Sequence, residues 1–462
     1  MPKRTSDIGP KMELPVEKKG VGTMENSVFY HPAHPATGGL WDTWLYLHEG
    51  KYYLYYLART GDQFDNISMA TSSDGVNWEE RGPFLQKSDE VTWMGTGSIW
   101  KSPISPFEGQ YQMNYSEWTG PRQTIFFADS NDLVHWRRLG KRFEFVQDDR
   151  WYAPLGRWDC IWTLPRPGGG LYGYWTATPK PETAGRFGFG QSLDGLKWEA
   201  LPPPRVEGVG DGEVGAIEKI GDHFFMMFGW GGRMVTLTAE KVDGPFRASI
   251  KNQVLLGGHT YFSRFFPTPD GLLVNHHSIA RDGSVYMGLL KQALVDQEGV
   301  LRLYWWKGND LLKSQRSGAF IPVPDRSTET VLMLENKFDI LNGLVLEGSL
   351  LLPSTANTAQ RGVYIEYETD RGMAVLFDSQ GRAEIHLADE RGSISKLELT
   401  ADRELSYQNP AQFRLVLQHS LVEFYLDDVL IECFSLPSLA TGRIGLIRGD
   451  NPHSIMNLLA WN

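Results

Sequence analysis

Three carboxylates stand in one kind of local setting along the chain. They are Asp42 in "GGLWDTWLYLHEGKYYLYYL", Asp159 in "GRWDCIWTLPRPGGGLYGYW" and Glu213 in "GDGEVGAIEKIGDHFFMMFG". Each is followed by a few mostly apolar residues, a glycine-containing turn and an aromatic run that reads as a strand. Acids grouped in this way support cleavage of a glycosidic bond. One carboxylic acid gives its proton to the leaving oxygen, while an ionised partner attacks the anomeric carbon or activates water. A third carboxylate can hold ring hydroxyls and favour the cationic transition state. Unequal burial would separate the pKa values of the three. The structural alternatives are a turn or cap for Asp42, a hydrogen-bonding post for Asp159 and a loop acid for Glu213. Glu218, five residues beyond Glu213, is the rival proton donor.

Side chains near these acids suggest how a ligand would be held. Trp41, Trp93 and Trp158 are the leading candidates to stack on the apolar face of a sugar ring, with Trp44 and Trp162 behind them. Arg264 in "HTYFSRFFPTPDG" is a candidate to bind hydroxyls, a salt bridge being the alternative. The pair His276–His277 invites a metal reading, but neighbouring strand residues face opposite sides. No metal or cofactor is expected.

The elements that must position these residues are short strands. Aromatic residues make up 12% of the 462 residues, and 49 Gly and 26 Pro punctuate them. Three segments share the form Ser-x-Asp-x-x-x-Trp: "ATSSDGVNWEERG", "ADSNDLVHWRRLG" and "GQSLDGLKWEALP", with tryptophans at 78, 136 and 198. The interval of roughly 60 residues suits a four-stranded propeller blade with its loops. Asp and Gly would make the hairpin turn, and Trp would open the return strand and pack between blades. The strands "HFFMMFGW" and "GLLVNHHSIA" look like equivalents in a fourth and a fifth blade. The expectation is an all-β protein: an N-terminal extension (1–24), a five-bladed β-propeller (25–320), a linker (321–335) and a β-sandwich (336–462). The sandwich is read from alternating strands such as "GVYIEYET" and "LVEFYLDD". Asp42, Asp159 and Glu213 would then open the channel-lining strands of blades one, three and four.

A formal charge of −11 argues against a nucleic-acid or anionic-membrane partner, because both reward clustered Lys and Arg. The expected partner is a small oligosaccharide. Cys160 and Cys433 are too few and too far apart for a disulfide framework and read as free buried thiols. The polar start and the lack of a membrane-length apolar run lead to the expectation of a cytoplasmic protein. The sandwich is expected to brace the propeller or to mediate self-association, so a homo-oligomer stays open.

With these residues in place, the sequence resembles glycoside hydrolase family 32, the fructan- and sucrose-active enzymes. "WDTW" around Asp42 is similar to the family's Asn-Asp-Pro-Asn motif, and "RWDC" around Asp159 to its Arg-Asp-Pro motif. The eight residues from Glu213 to Gly221-Asp222 match the family's run from its acid/base Glu to a Gly-Asp turn. "WMGTGSIW" looks like the second-blade Ser-Gly-Ser segment, and "FRLVLQHSLVEFYLDD" like a sandwich strand pair. The resemblance implies Asp42 as nucleophile, Asp159 as transition-state stabiliser, Glu213 as acid/base, and Arg157 as the counterpart of the motif arginine. It implies β-fructofuranosides as substrates, hydrolysed or passed to a sugar acceptor. Departures are plain: Trp41 and Thr43 flank Asp42, Cys160 replaces Pro, and Val214 replaces Cys. Two other readings stay open. One is an inverting arabinofuranosidase-type enzyme resembling glycoside hydrolase family 43; the other is a non-catalytic sugar-binding propeller.

Overall fold

The computed structural model describes residues 27–33, 39–61, 63–104, 110–314, 316–317, 331–353, 360–379, 383–389, 394–400, 409–449, 451 and 453–462. The expected N-terminal extension and residues 321–330 of the expected linker lie outside them. Five sheets follow one another along the chain, each beginning with the strand that lines a central channel. Those five inner strands are Trp41–His48, Trp93–Lys101, Trp158–Pro165, Glu213–Ile220 and Thr260–Thr268. Each pairs antiparallel with the next strand in sequence, and inner strands of successive blades touch in a closed ring. The first three sheets have four strands in simple up-and-down order.

The Ser-x-Asp-x-x-x-Trp repeats form the last hairpin of the first three blades. In the first, Ser72 Oγ accepts from the amides of Asp74 and Gly75, while Asp74 Oδ1 accepts from those of Val76 and Asn77. Ser130–Asp132 and Ser192–Asp194 repeat the pattern. The residue after each Asp has a positive φ, at Gly75, Leu133 and Gly195. The tryptophans then pack: Trp136 meets Tyr55 of the first blade, and Trp198 meets Trp100 of the second. These aspartates are turn builders.

The fifth blade runs directly into the sandwich. Its outer strand Leu301–Trp305 pairs with Val429–Ser435, through Tyr304 and Val429. The sandwich packs a sheet containing Leu344–Leu350, Ala411–Gln418 and Leu421–Leu426 against one containing Arg361–Glu368, Arg371–Phe377 and Arg443–Ile447. Residues 331–335, expected as linker, belong instead to the sandwich strand Val331–Lys337, which pairs with Arg443–Ile447. Their apolar run, Val331 to Leu334, suits a strand buried in the sandwich.

A buried polar group joins the two domains. Lys291 Nζ lies 2.8 Å from Glu423 Oε1 and 2.7 Å from His276 Nε2, and Tyr425 donates to Glu423 Oε2 at 2.5 Å. Burial works against the Glu423 charge, but Lys291 and His276 outweigh it and pull its pKa down to about 2. His276, Glu423 and Cys433 offer ligand atoms within 4.8 Å of one another. The Lys291 ammonium contacts two of the three, so the group is an ion cluster bracing the junction.

Candidate active site

Every inner strand carries a bulge at about the same depth. Register slips between Trp41 and Trp44, Gly95 and Ser98, Asp159 and Trp162, Val214 and Ala216, and Tyr261 and Arg264. Bulges bend a strand and re-aim its side chains. Asp42, Cys160 and Phe262 take left-handed backbone there, with φ of 43°, 46° and 46°. The three acids therefore do not hold equivalent positions, as the shared local pattern implied. Asp42 is itself a bulge residue, Asp159 stands just before the bulge opposite Thr176, and Glu213 lies before its bulge opposite Gly229.

Even so, blades one, three and four bring the three carboxylates together. Arg157 Nη2 donates to Glu213 Oε1 at 2.7 Å and lies 3.5 Å from Asp159 Oδ2. Tyr261 donates from its hydroxyl to Glu213 Oε2 at 2.9 Å. Ser116 donates to Asp159 Oδ1 at 2.6 Å and itself accepts from Gln123 Nε2. Asp42 receives no such help: its Oδ1 is buried without a hydrogen-bond partner. Side-chain exposure grades the set, 6% for Asp159, 13% for Asp42 and 24% for Glu213.

The electrostatics follow from burial. Burial, then the charges of Glu213 and Asp159, hold the Asp42 carboxyl well above its ordinary range, against the pull of Arg264 and Arg157. Burial also raises Asp159, opposed by Arg157 and the Ser116 hydroxyl. His277 lies 3.9 Å from Asp42 Oδ1 without being its counter-ion. Its Nδ1 accepts from the Asp42 amide at 3.2 Å, and burial, with His276 nearby, drives its pKa down to about 3. The ring is neutral and fixes the Asp42 backbone.

The expected ligand-binding residues divide. Arg157 sits among the acids. Trp41, half-buried, lies against His277 at 4.3 Å between ring centroids, and Trp93 stacks on Trp118 at 5.5 Å. Trp158 is placed otherwise: it is fully buried among Phe145, Tyr152 and Trp175 and donates to the Phe145 carbonyl. With Asp159 facing the site, strand alternation turns Trp158 into the blade core and Arg157 back to the acids. Arg264 reaches no solvent-exposed surface and, among the described residues, no ion-pair partner. It is fully buried below the acids, its guanidinium 4.6 Å from the Phe262 ring centroid and 5.5 Å from that of Trp162. Among the described residues none of its three nitrogens has a hydrogen-bond partner of good geometry, and burial lowers its pKa against the pull of Cys160, Asp42 and Asp159.

Tyr261, Ser116 and Gln123 carry no motif in the sequence, and His277, weighed there only as a metal ligand, instead holds the Asp42 amide. Only the bulges reveal Tyr261: aligned by them, it takes the place held by Trp41 and Asp159 in their blades. Trp230, 38% exposed, follows the residue opposite Glu213 and was also passed over. Glu218 lies on the same strand as Glu213 but roughly 15 Å further along it, in the other half of the channel.

No protein-family model matches the chain, and no curated protein matches it in sequence. Solved structures do match in fold, among them a family 32 glycoside hydrolase, and the chain is similar to them in its fold. Fructan 1-exohydrolase IIa of Cichorium intybus aligns with a TM-score of 0.68 at 13% identity, over 96% of this chain and 98% of that one. A family 32 β-fructofuranosidase of Bombyx mori aligns at 0.68 and 14%, over 95% and 94%. Sucrose-6-phosphate hydrolase of Lactobacillus gasseri aligns at 0.64 and 14%, over 95% and 93%.

Proposed function

We propose that this protein is a retaining glycoside hydrolase acting on β-fructofuranosides, with small fructo-oligosaccharides as substrates. The observation that carries the reading is Arg157 shared between Glu213 and Asp159 beside the buried Asp42, whose carboxyl feels the charges of both acids. Three acids from separate blades meet at one depth of the channel, as two-carboxylate sugar chemistry with a third, stabilising acid requires. The structures that share the fold include the Cichorium intybus enzyme in complex with 1-kestose and the Bombyx mori enzyme in complex with sucrose.

In this reading Asp42 attacks the anomeric carbon as Glu213 protonates the leaving oxygen, giving a fructosyl ester on Asp42. Glu213 then takes a proton from water, which attacks the same carbon and frees Asp42. A sugar hydroxyl in place of water gives transfer. Asp159, held by Ser116 and Arg157, receives ring hydroxyls and stabilises the cationic transition state. Trp41 and Trp93 form the apolar walls. The test is product analysis after incubation with sucrose, 1-kestose, longer inulin-type oligosaccharides and aryl arabinofuranosides. The expected result is release of fructose with initial β configuration, and a loss of about 10²- to 10⁴-fold in kcat for Glu213→Gln. Turnover of arabinosides alone, or release of the inverted anomer, would overturn the proposal.

A further inference from the structure

The half of the channel away from the acids holds a separate cavity of about 320 Å³, to which all five inner strands contribute. Trp44, Tyr46, Trp162, Phe265 and Phe266 give it aromatic walls, and Glu218 is its one acid. The bulge explains the acid: an odd spacing would turn Glu213 and Glu218 to opposite faces, and the extra residue at 214–216 returns Glu218 to the channel. Among the described residues Glu218 has no ion-pair partner, and the lining contains no Lys, Arg or His. Tyr46 is its other titratable side chain, and Arg264 lies deeper, beside the Trp162 ring.

We propose that this cavity binds a small organic cation, with its ammonium group on the Glu218 carboxylate and its alkyl part against the aromatic walls. Aromatic faces and one unpaired carboxylate are the two elements that recognise an alkylammonium ion. A sugar is poorly matched, because beside Glu218 the lining's polar side chains are Tyr46, Ser98 and Thr163, and Ser98 already donates to the Ile161 carbonyl and accepts from Asn114. Burial, opposed by the Trp162 indole, pushes the Glu218 pKa up to about 7. A bound cation favours the ionised form, so affinity rises with pH through neutrality.

The test is titration of the full chain with butylammonium chloride and choline chloride, followed by tryptophan fluorescence and calorimetry, with butanol as the neutral control. The expected result is saturable binding of at least one cation, about tenfold tighter at pH 8 than at pH 6. Glu218→Gln should weaken it by at least tenfold, Asp42→Asn should leave it unchanged, and butanol should show no pH dependence. The wild-type pH dependence serves as an independent readout should Glu218→Gln fold poorly. Absence of saturable binding, equal affinity in Glu218→Gln, or loss of binding in Asp42→Asn would overturn the proposal.

Discussion

At the scale of single residues, Asp42 occupies a backbone that L residues avoid and a site that disfavours its charge. Strain and unpaired burial of this kind are held where function needs them. Because the folded state raises Asp42 above its ordinary value of 3.8, its ionisation costs stability as pH rises through the folded value. Asp42→Asn keeps the shape without that cost. It is expected to abolish turnover yet raise Tm at pH 7 by roughly 1–3 °C. The gain should vanish below about pH 4, where the wild-type acid is already neutral; scanning calorimetry at both pH values checks this. Tyr261→Phe removes one of two donors to Glu213. A loss of roughly three- to tenfold in kcat/KM is expected, since a typical hydrogen bond contributes about 0.5–1.5 kcal/mol; steady-state kinetics reads it.

At the scale of elements, the bulges decide which neighbours of an acid share its site. Strand alternation placed Arg157 with Asp159 and sent Trp158 into the core, a distinction legible in the sequence once the strand is recognised. Trp41 stays near Asp42 because the bulge begins between them, and no sequence signal marks where a bulge falls. The turn repeats, by contrast, were legible as Asp turns followed by a packing Trp, since Ser and Asp close a local hydrogen-bonded turn that depends on nothing distant. The second blade supplies the clearest test of positioning. A Cβ at Gly95 would lie 2.1 Å from Ser116 Oγ and 2.6 Å from Asp159 Oδ1. Gly95→Ala is therefore expected to displace Asp159 and cut kcat at least tenfold while circular dichroism shows an intact fold. Conversely, Gly97→Ala would drive a Cβ to 1.9 Å from the Asn114 carbonyl oxygen and lower Tm instead.

For the whole molecule, propeller and sandwich are one cooperative body rather than two beads. A shared sheet, a shared apolar core and the Lys291–Glu423–His276 cluster cross the junction. Sequence reading found both domains but none of this junction, because its partners are separated by more than a hundred residues and carry no motif. Lys291→Ala would strand the Glu423 charge in the interior, at a cost of about 3–5 kcal/mol. Differential scanning calorimetry should show a single transition moved to lower temperature; two separated transitions would contradict the cooperative picture.

The central claim, that Asp42 forms a covalent bond to the sugar, is tested most directly by trapping. An activated fructosyl donor with a good leaving group lets the Glu213→Gln variant form the intermediate but slows its hydrolysis. Mass spectrometry of the digested, acid-quenched protein should find one fructosyl unit, on the peptide containing Asp42. A label on any other carboxylate, or an unlabelled protein that still turns the donor over, would contradict the account.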